Sequence, residues 1–275
     1  MTYQQLIDKQ WQNASIKDNF IFGKTMELYP NLCRHLLELI LSVKISKINY
    51  PEREKTIETH LDGKGIRLDV FVEDDLNRSF DIEMQVTNSD DLAKRMRYYQ
   101  GLLDIDKLKR GQHYSALDES YVIFICTFDY FHQGRYIYKF RERCDQDLSL
   151  ELKDGATKIF LSSKGKIDDV DSDIKAFLKY VDSGFVSGTF VKELDVAVNS
   201  VKFNERVRHD FMTFQMALLE REMETEKRVR NEEREAVAVK MLRKGKSFDE
   251  VREFTDLPVF RIEELAKEKA NANLA

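Results

Sequence analysis

Apolar and polar positions alternate most cleanly between Ile66 and Gln85, IRLDVFVEDDLNRSFDIEMQ. Leu68, Val70 and Val72 alternate with Arg67, Asp69, Phe71 and Glu73. Phe80, Ile82, Met84 and Val86 alternate with Asp81, Glu83 and Gln85. A period of two belongs to a β-strand. Two strands are therefore predicted, with Asp-Leu-Asn supplying the turn between them. Glu83 and Gln85 then share a face, and pairing as a hairpin brings Asp69 near Glu83. Two readings stand at this point. The carboxylates converge as a divalent-cation site, because Mg²⁺ favours a few hard oxygen ligands plus water. Alternatively, this is a half-exposed hairpin whose acids sit in water, as exposed acids commonly do.

The flanking pattern adds further elements. Met1 to Lys17 carries Leu6, Ile7 and Trp11 on one helical face and reads as a short docking helix. Asp18 is placed to cap the next helix. Pro30-Asn31 interrupts the helical pattern, after which Leu32, Leu36, Leu39, Ile40 and Val43 form a core stripe. Glu38 lies off that stripe. Ile57 to Asp62 reads as a first strand, and Asp62-Gly63-Lys64-Gly65 as a turn. Asn88-Ser89-Asp90 marks the start of a helix whose buried stripe is Leu92, Met96, Tyr99 and Leu103. Arg95 falls at the edge of that stripe, where a charge requires a partner or a ligand. It can pair with Glu83 or Gln85, or hold a phosphate bidentately. Lys94 and Arg97 either add positive potential beside it or form a solvated face. Tyr121 to Phe128 is a nearly continuous apolar run, the mark of a strand covered on both faces.

Farther on, Tyr136 to Arg143, Leu148 to Lys153 and Thr157 to Leu161 read as peripheral strands extending the sheet. Asp168 to Asp173 precedes the helix Ile174 to Asp182. Ser183 to Thr189 reads as a domain boundary, separating residues 1–185 from a helical region over 190–275. There, Glu220 to Glu235 is almost wholly charged. Ser247-Phe-Asp-Glu250 is a capping box, and a further helix follows Pro258. This tail suits either a helix-turn-helix touching nucleic acid or a helical hairpin that dimerises the chain.

Composition narrows the classes. The formal charge of −5 over 275 residues requires any nucleic-acid contact to rest on a local basic surface. The three cysteines form neither a metal-ligand pair nor a disulfide framework. No signal-peptide pattern and no membrane-spanning stretch is read, so a cytoplasmic location is expected. The histidines are scattered, and there is no HExxH, nucleophile elbow or P-loop.

Taken together, Asp69-Val70, Ile82-Glu83-Met84-Gln85, Arg95-Met-Arg-Tyr-Tyr99 and Gly111-Gln-His-Tyr114 resemble the PD-(D/E)XK nucleases. More narrowly, they resemble the recombination-promoting nuclease (Rpn) and putative transposase group, over roughly Asn19 to Asp182. The resemblance implies an α/β fold with a three-layer restriction-endonuclease-like core, αβββαβ, and a helical C-terminal appendage. It implies Mg²⁺- or Mn²⁺-dependent hydrolysis of DNA, linked to recombination or mobile elements. Asp69, Glu83 and the Met84 carbonyl would hold the metal, and Asp18 and Glu38 are possible additions. Gln85 stands where the wider superfamily has Lys; it can orient a water but cannot act as a base. Arg95 would then compensate, with Lys94 and Arg97 contacting DNA. The alternative is a catalytically weak, transposon-derived DNA-binding protein with vestigial acids. A third reading is an oligomerisation protein on an inert scaffold.

Overall fold

The computed structural model describes residues 2–49, 51–57 and 65–272. Three helices open the chain: α1 (Tyr3–Asn13), α2 (Asn19–Leu28) and α3 (Pro30–Leu41). The strands β1 (Glu52–Ile57), β2 (Ile66–Glu73) and β3 (Ser79–Gln85) follow, then α4 (Leu92–Lys107) and β4 (Ser120–Cys126). Next come β5 (Ile137–Phe140), β6 (Arg143–Cys144), β7 (Asp147–Glu151) and β8 (Ala156–Ser162). Helices complete the chain: α5 (Ser172–Ser183), α6 (Thr189–Phe203), α7 (Glu205–Arg243), α8 (Phe248–Thr255) and α9 (Val259–Ala272).

Six strands form one sheet in the order β1-β2-β3-β4-β8-β5. β2 is antiparallel to β1 and β3, β4 is parallel to β3 and β8, and β5 closes the far edge antiparallel to β8. Every residue of β3 and β4 is buried, so both faces of the sheet are covered. α4 packs on one side, and α2, backed by α3 and α6, on the other. This is the three-layer α/β core, and it removes the half-exposed hairpin as a reading.

Several expectations shift. Among the described residues the first strand is Glu52–Ile57, and the Asp62-to-Gly65 turn lies largely outside them. β8 is not peripheral: it lies against β4, with Ile159, Phe160 and Leu161 buried. β6 and β7 leave the sheet as a separate two-stranded ribbon, on which Leu148 and Leu150 are exposed. Pro30 opens α3 instead of merely breaking a helix, since its missing N–H is not needed in the first turn.

The chain divides into two compact units, 1–209 and 210–275. The break comes later than the expected 185–190, because α6 packs on α2 and α5. Its Phe190, Val191, Leu194, Val198 and Val201 are buried at helical spacing. In the second unit, Ala238 on α7, Val251 on α8 and Ile262 and Leu265 on α9 share a small core with Leu257. Ser247 and Glu250 cap α8 reciprocally. No helix among the described residues is long and apolar enough to cross a membrane.

Candidate active site

The β2–β3 ladder runs from Glu73 opposite Ser79 to Val70 opposite Ile82 and stops there. Beyond that point β2 continues along β1 as far as Ile66, while β3 continues along β4 as far as Gln85. The sheet therefore forks, and Asp69 and Glu83 stand at the crotch. Their side chains take up N–H groups that a continued ladder would have used. The Asp69 N–H donates to Glu83 Oε1 at 2.7 Å, and the Met84 N–H donates to Asp69 Oδ2 at 3.1 Å.

Strict alternation fails at Asp69. Leu68 and Phe71 belong to the same core cluster beneath α4, although a period of two puts them on opposite faces. On β1 the register runs from Arg53 opposite Val70 to Lys55 opposite Leu68. Glu54, between them and facing Asp69, has a left-handed φ of 58°. Such a local irregularity re-aims a side chain. Asp69 is thereby turned into the fork, where Asn19 Nδ2 at the start of α2 donates to its Oδ1 at 3.1 Å.

On the α4 side, Gln85 Nε2 donates to Glu83 Oε2 at 3.4 Å, and Gln85 Oε1 accepts from Arg95 Nη1 at 3.2 Å. Arg95 also donates to the Tyr99 hydroxyl at 3.2 Å and comes within 4.0 Å of Glu83 Oε2. Its pairing at the edge of the apolar stripe is thus with both of the partners that the sequence offers. Tyr99 packs on Phe124 while Tyr98 is exposed.

The electrostatics are those of an acid-rich, donor-poor pocket. Asp69, Asp81 and Glu83 are 9 %, 0 % and 2 % exposed. Burial pushes Asp69 up to about 6 against the pull of the Met84 N–H, Asn19, Arg67 and Arg95. Burial, then the neighbouring carboxylates, raises Glu83 and Asp81 well above the usual carboxylate range. Both Asp81 oxygens lack a donor. The Glu83 carboxyl lies within Asp81's reach, and a bond between two carboxyls needs one of them protonated. Arg95 faces opposing influences: burial lowers its pKa, but Tyr99 and Glu83 outweigh this and leave it raised. Unpaired buried carboxylates are costly, and a cation is the group this donor set lacks. Among the described residues no cluster of three or more His, Cys, Asp or Glu side chains is arranged to hold a metal ion. A cation at the fork would therefore complete its shell with main-chain oxygen and water, as Mg²⁺ sites commonly do.

A model of the PD-(D/E)XK nuclease family transposases matches residues 20–162, from α2 through β8. The chain belongs to that family. No curated protein and no solved structure matches it. The matched stretch includes Asp69, Glu83, Gln85 and Arg95.

The other candidates fall elsewhere. Asp18 caps α2, accepting from the Phe20 and Ile21 N–H groups, and burial raises its pKa. Glu38 accepts from Arg34 and from the Ile45 N–H, and none of these bonds reaches the fork. Lys94 and Arg97 are exposed on the first turns of α4. Sequence reasoning passed over Asn19, Asp81 and Arg67. Asp81 and Arg67 each lie two residues from a fork acid, which was a usable signal. Asn19 lies 50 residues from Asp69, and no local pattern announces it.

Proposed function

We propose that this PD-(D/E)XK family protein is a metal-dependent endodeoxyribonuclease, hydrolysing DNA phosphodiesters in recombination or mobile-element movement in the cytoplasm. The observation that carries the proposal is the pair of buried acids at the fork, Asp69 and Glu83, each held by the other's strand and crowded by Asp81, whose two oxygens have no donor. Asp69, Glu83 and the Met84 carbonyl would hold Mg²⁺ or Mn²⁺. When bound, such a cation makes a water more acidic and offsets charge on the phosphate. Asp69 and Glu83 fix the position of the site, because each is anchored to the opposite strand. Gln85, bonded to Glu83 and Arg95, orients a water through its amide. Arg95, one-third exposed and bonded to Gln85 and Tyr99, would face the phosphate as a positive charge. Exposed Lys94 and Arg97 supply the local basic surface that a chain of net charge −5 needs.

The same reading gives residues 1–209 the chemistry and the helical unit beyond them an accessory role in self-association or DNA contact. The test is nicking of supercoiled plasmid with Mg²⁺ or Mn²⁺, beside Asp69→Ala and Glu83→Ala. Loss in both variants with folding retained supports the enzyme. Equal residual nicking in all three proteins rejects it. The Gln85 position favours a second reading, a catalytically weak DNA-binding protein, since no Lys offsets transition-state charge. Salt-dependent DNA binding without cation-dependent nicking would establish that reading instead.

A further inference from the structure

α2 grips Asp69 at two levels. One turn into the helix, Gly23 lies so close to the strand that a Cβ there would come within 3.2 Å of the Asp69 carbonyl oxygen and 2.7 Å of Arg53 Cγ. Only a residue without a side chain permits that approach. At the helix start, Asn19 Nδ2 meets Asp69 Oδ1 at 3.1 Å. The cap of α2 is Asp18, whose carboxylate takes the Phe20 and Ile21 N–H groups. Asn19 is therefore not needed to start the helix, and its amide is free to serve the fork. A carboxylate only accepts, so the amide nitrogen must be the end that faces it.

We infer that Asn19 is a positioning residue that sets the plane of the Asp69 carboxylate at the fork. The inference rests on the reading of Asp69 as a cation ligand. Asp69 has two external donors, the Met84 N–H on Oδ2 and Asn19 on Oδ1. Two donors on different oxygens fix both the tilt and the rotation of the carboxylate, whereas one leaves it free to turn. The Met84 N–H belongs to β3 and Asn19 to α2, so Asp69 is held between two layers of the core. Asn19 is itself exposed, whereas the Asp69 that it holds is 9 % exposed. A hydrogen-bond partner that orients a ligating group is worth about 10- to 100-fold in metal affinity or activity.

The experiment titrates MnCl₂ into the full chain by calorimetry, without DNA, and compares Asn19→Leu, Asn19→Gln and Asp69→Ala. Asn19→Leu keeps the branched shape and removes the donor, and Asn19→Gln restores a donor one methylene farther out. The expected result is a Mn²⁺ dissociation constant raised about tenfold in Asn19→Leu and largely recovered in Asn19→Gln. The cation-free melting temperature should fall by no more than the one lost hydrogen bond to Asp69 allows, because neither the cap nor the core is touched. In nicking assays the half-saturating Mn²⁺ concentration rises by the same factor, and the rate at saturation stays near that of the parent. A purely structural Asn19 would move the melting temperature and leave Mn²⁺ affinity alone. If Asp69→Ala abolishes Mn²⁺ binding while Asn19→Leu binds like the parent, the positioning role is overturned and the nuclease reading stands. If Asp69→Ala itself binds Mn²⁺ like the parent, the cation-ligand reading is overturned and the role of Asn19 goes with it.

Discussion

The β2–β3 hairpin carries a buried aspartate at each end, and the two are treated in opposite ways. At the turn, Asp74 is 2 % exposed and fully engaged. Its Oδ1 accepts from the Leu76 and Arg78 N–H groups at 3.0 and 2.9 Å, and its Oδ2 takes the Arg78 guanidinium at 2.6 Å. At the fork, Asp81 is 0 % exposed with no donor on either oxygen, beside Glu83 and Asp69. Burial is equal at both ends, but satisfaction differs. The turn carboxylate closes a structure, while the fork carboxylates leave a surplus of acceptors that only a proton or a cation can balance. A count of acids cannot separate these cases; a count of donors does.

The largest expected effect falls at the fork. Asp69→Asn and Glu83→Gln should each lower cation-dependent nicking by roughly a thousandfold, because the interaction removed is worth several kcal/mol of transition-state charge. Each change sets an NH₂ group where an oxygen accepts from an N–H donor, so the melting temperature of the cation-free protein should fall by no more than one lost hydrogen bond allows. Asp74→Ala should do the reverse. It leaves Arg78, whose side chain is 14 % exposed, without its partner, and loss of one member of a buried pair costs about 3 kcal/mol or more. Denaturant unfolding would show that loss, while Mn²⁺ affinity measured under folding conditions should not move. A fork variant that unfolds the protein, or a turn variant that abolishes cation binding, breaks the comparison.

The comparison also fixes the sign of a pH effect. Asp69 is pushed up to about 6 by burial, and Glu83 and Asp81 move in the same direction. As pH rises from the range of an ordinary carboxylate, the unfolded chain loses these protons first and the folded chain keeps them. The folded state then binds more protons, so stability falls as pH rises. For Asp69 the loss is complete once pH passes about 6 and amounts to roughly 3 kcal/mol. Thermal melts of the cation-free protein between pH 4 and 8 should show this decline against an Asp69→Asn control. Mn²⁺, which binds the ionised form, should restore stability at the upper end. A cation-free protein that instead gains stability from pH 5 to 7 would mean that the fork acids are satisfied.

Much of the hairpin was legible beforehand. The period-two run gave β2 and β3, the apolar run gave β4, and the stripe from Leu92 to Leu103 gave α4. The Ser247–Glu250 capping box marked the start of α8. What escaped was set by distant parts of the chain. Thr157 to Leu161 looks the same whether its strand is central or peripheral, because position in a sheet is not a local property. The α6 stripe from Phe190 to Val201 was present but overlooked, and reading it would have moved the domain boundary. Asp69 itself departs from simple alternation. Its direction depends on Glu54 across the β1–β2 ladder and on Asn19 from α2, neither of which a period of two can encode.

The smallest effect calibrates the others. On α7, Arg228 and Glu232 form an exposed pair at 3.7 Å, with side chains 71 % and 68 % exposed. Water already solvates both charges there, so pairing them gains little. Glu232→Ala should change unfolding free energy by less than about 0.5 kcal/mol, and the difference should vanish in high salt. This segment holds the densest run of charge in the chain, whereas the fork holds few charges and all the expected chemistry. If Glu232→Ala proved as damaging as Asp74→Ala, burial would not be the variable that sorts these acids. The contrast between the two ends of the hairpin would then lose its physical basis, since a count of donors decides between carboxylates only where water is excluded from them.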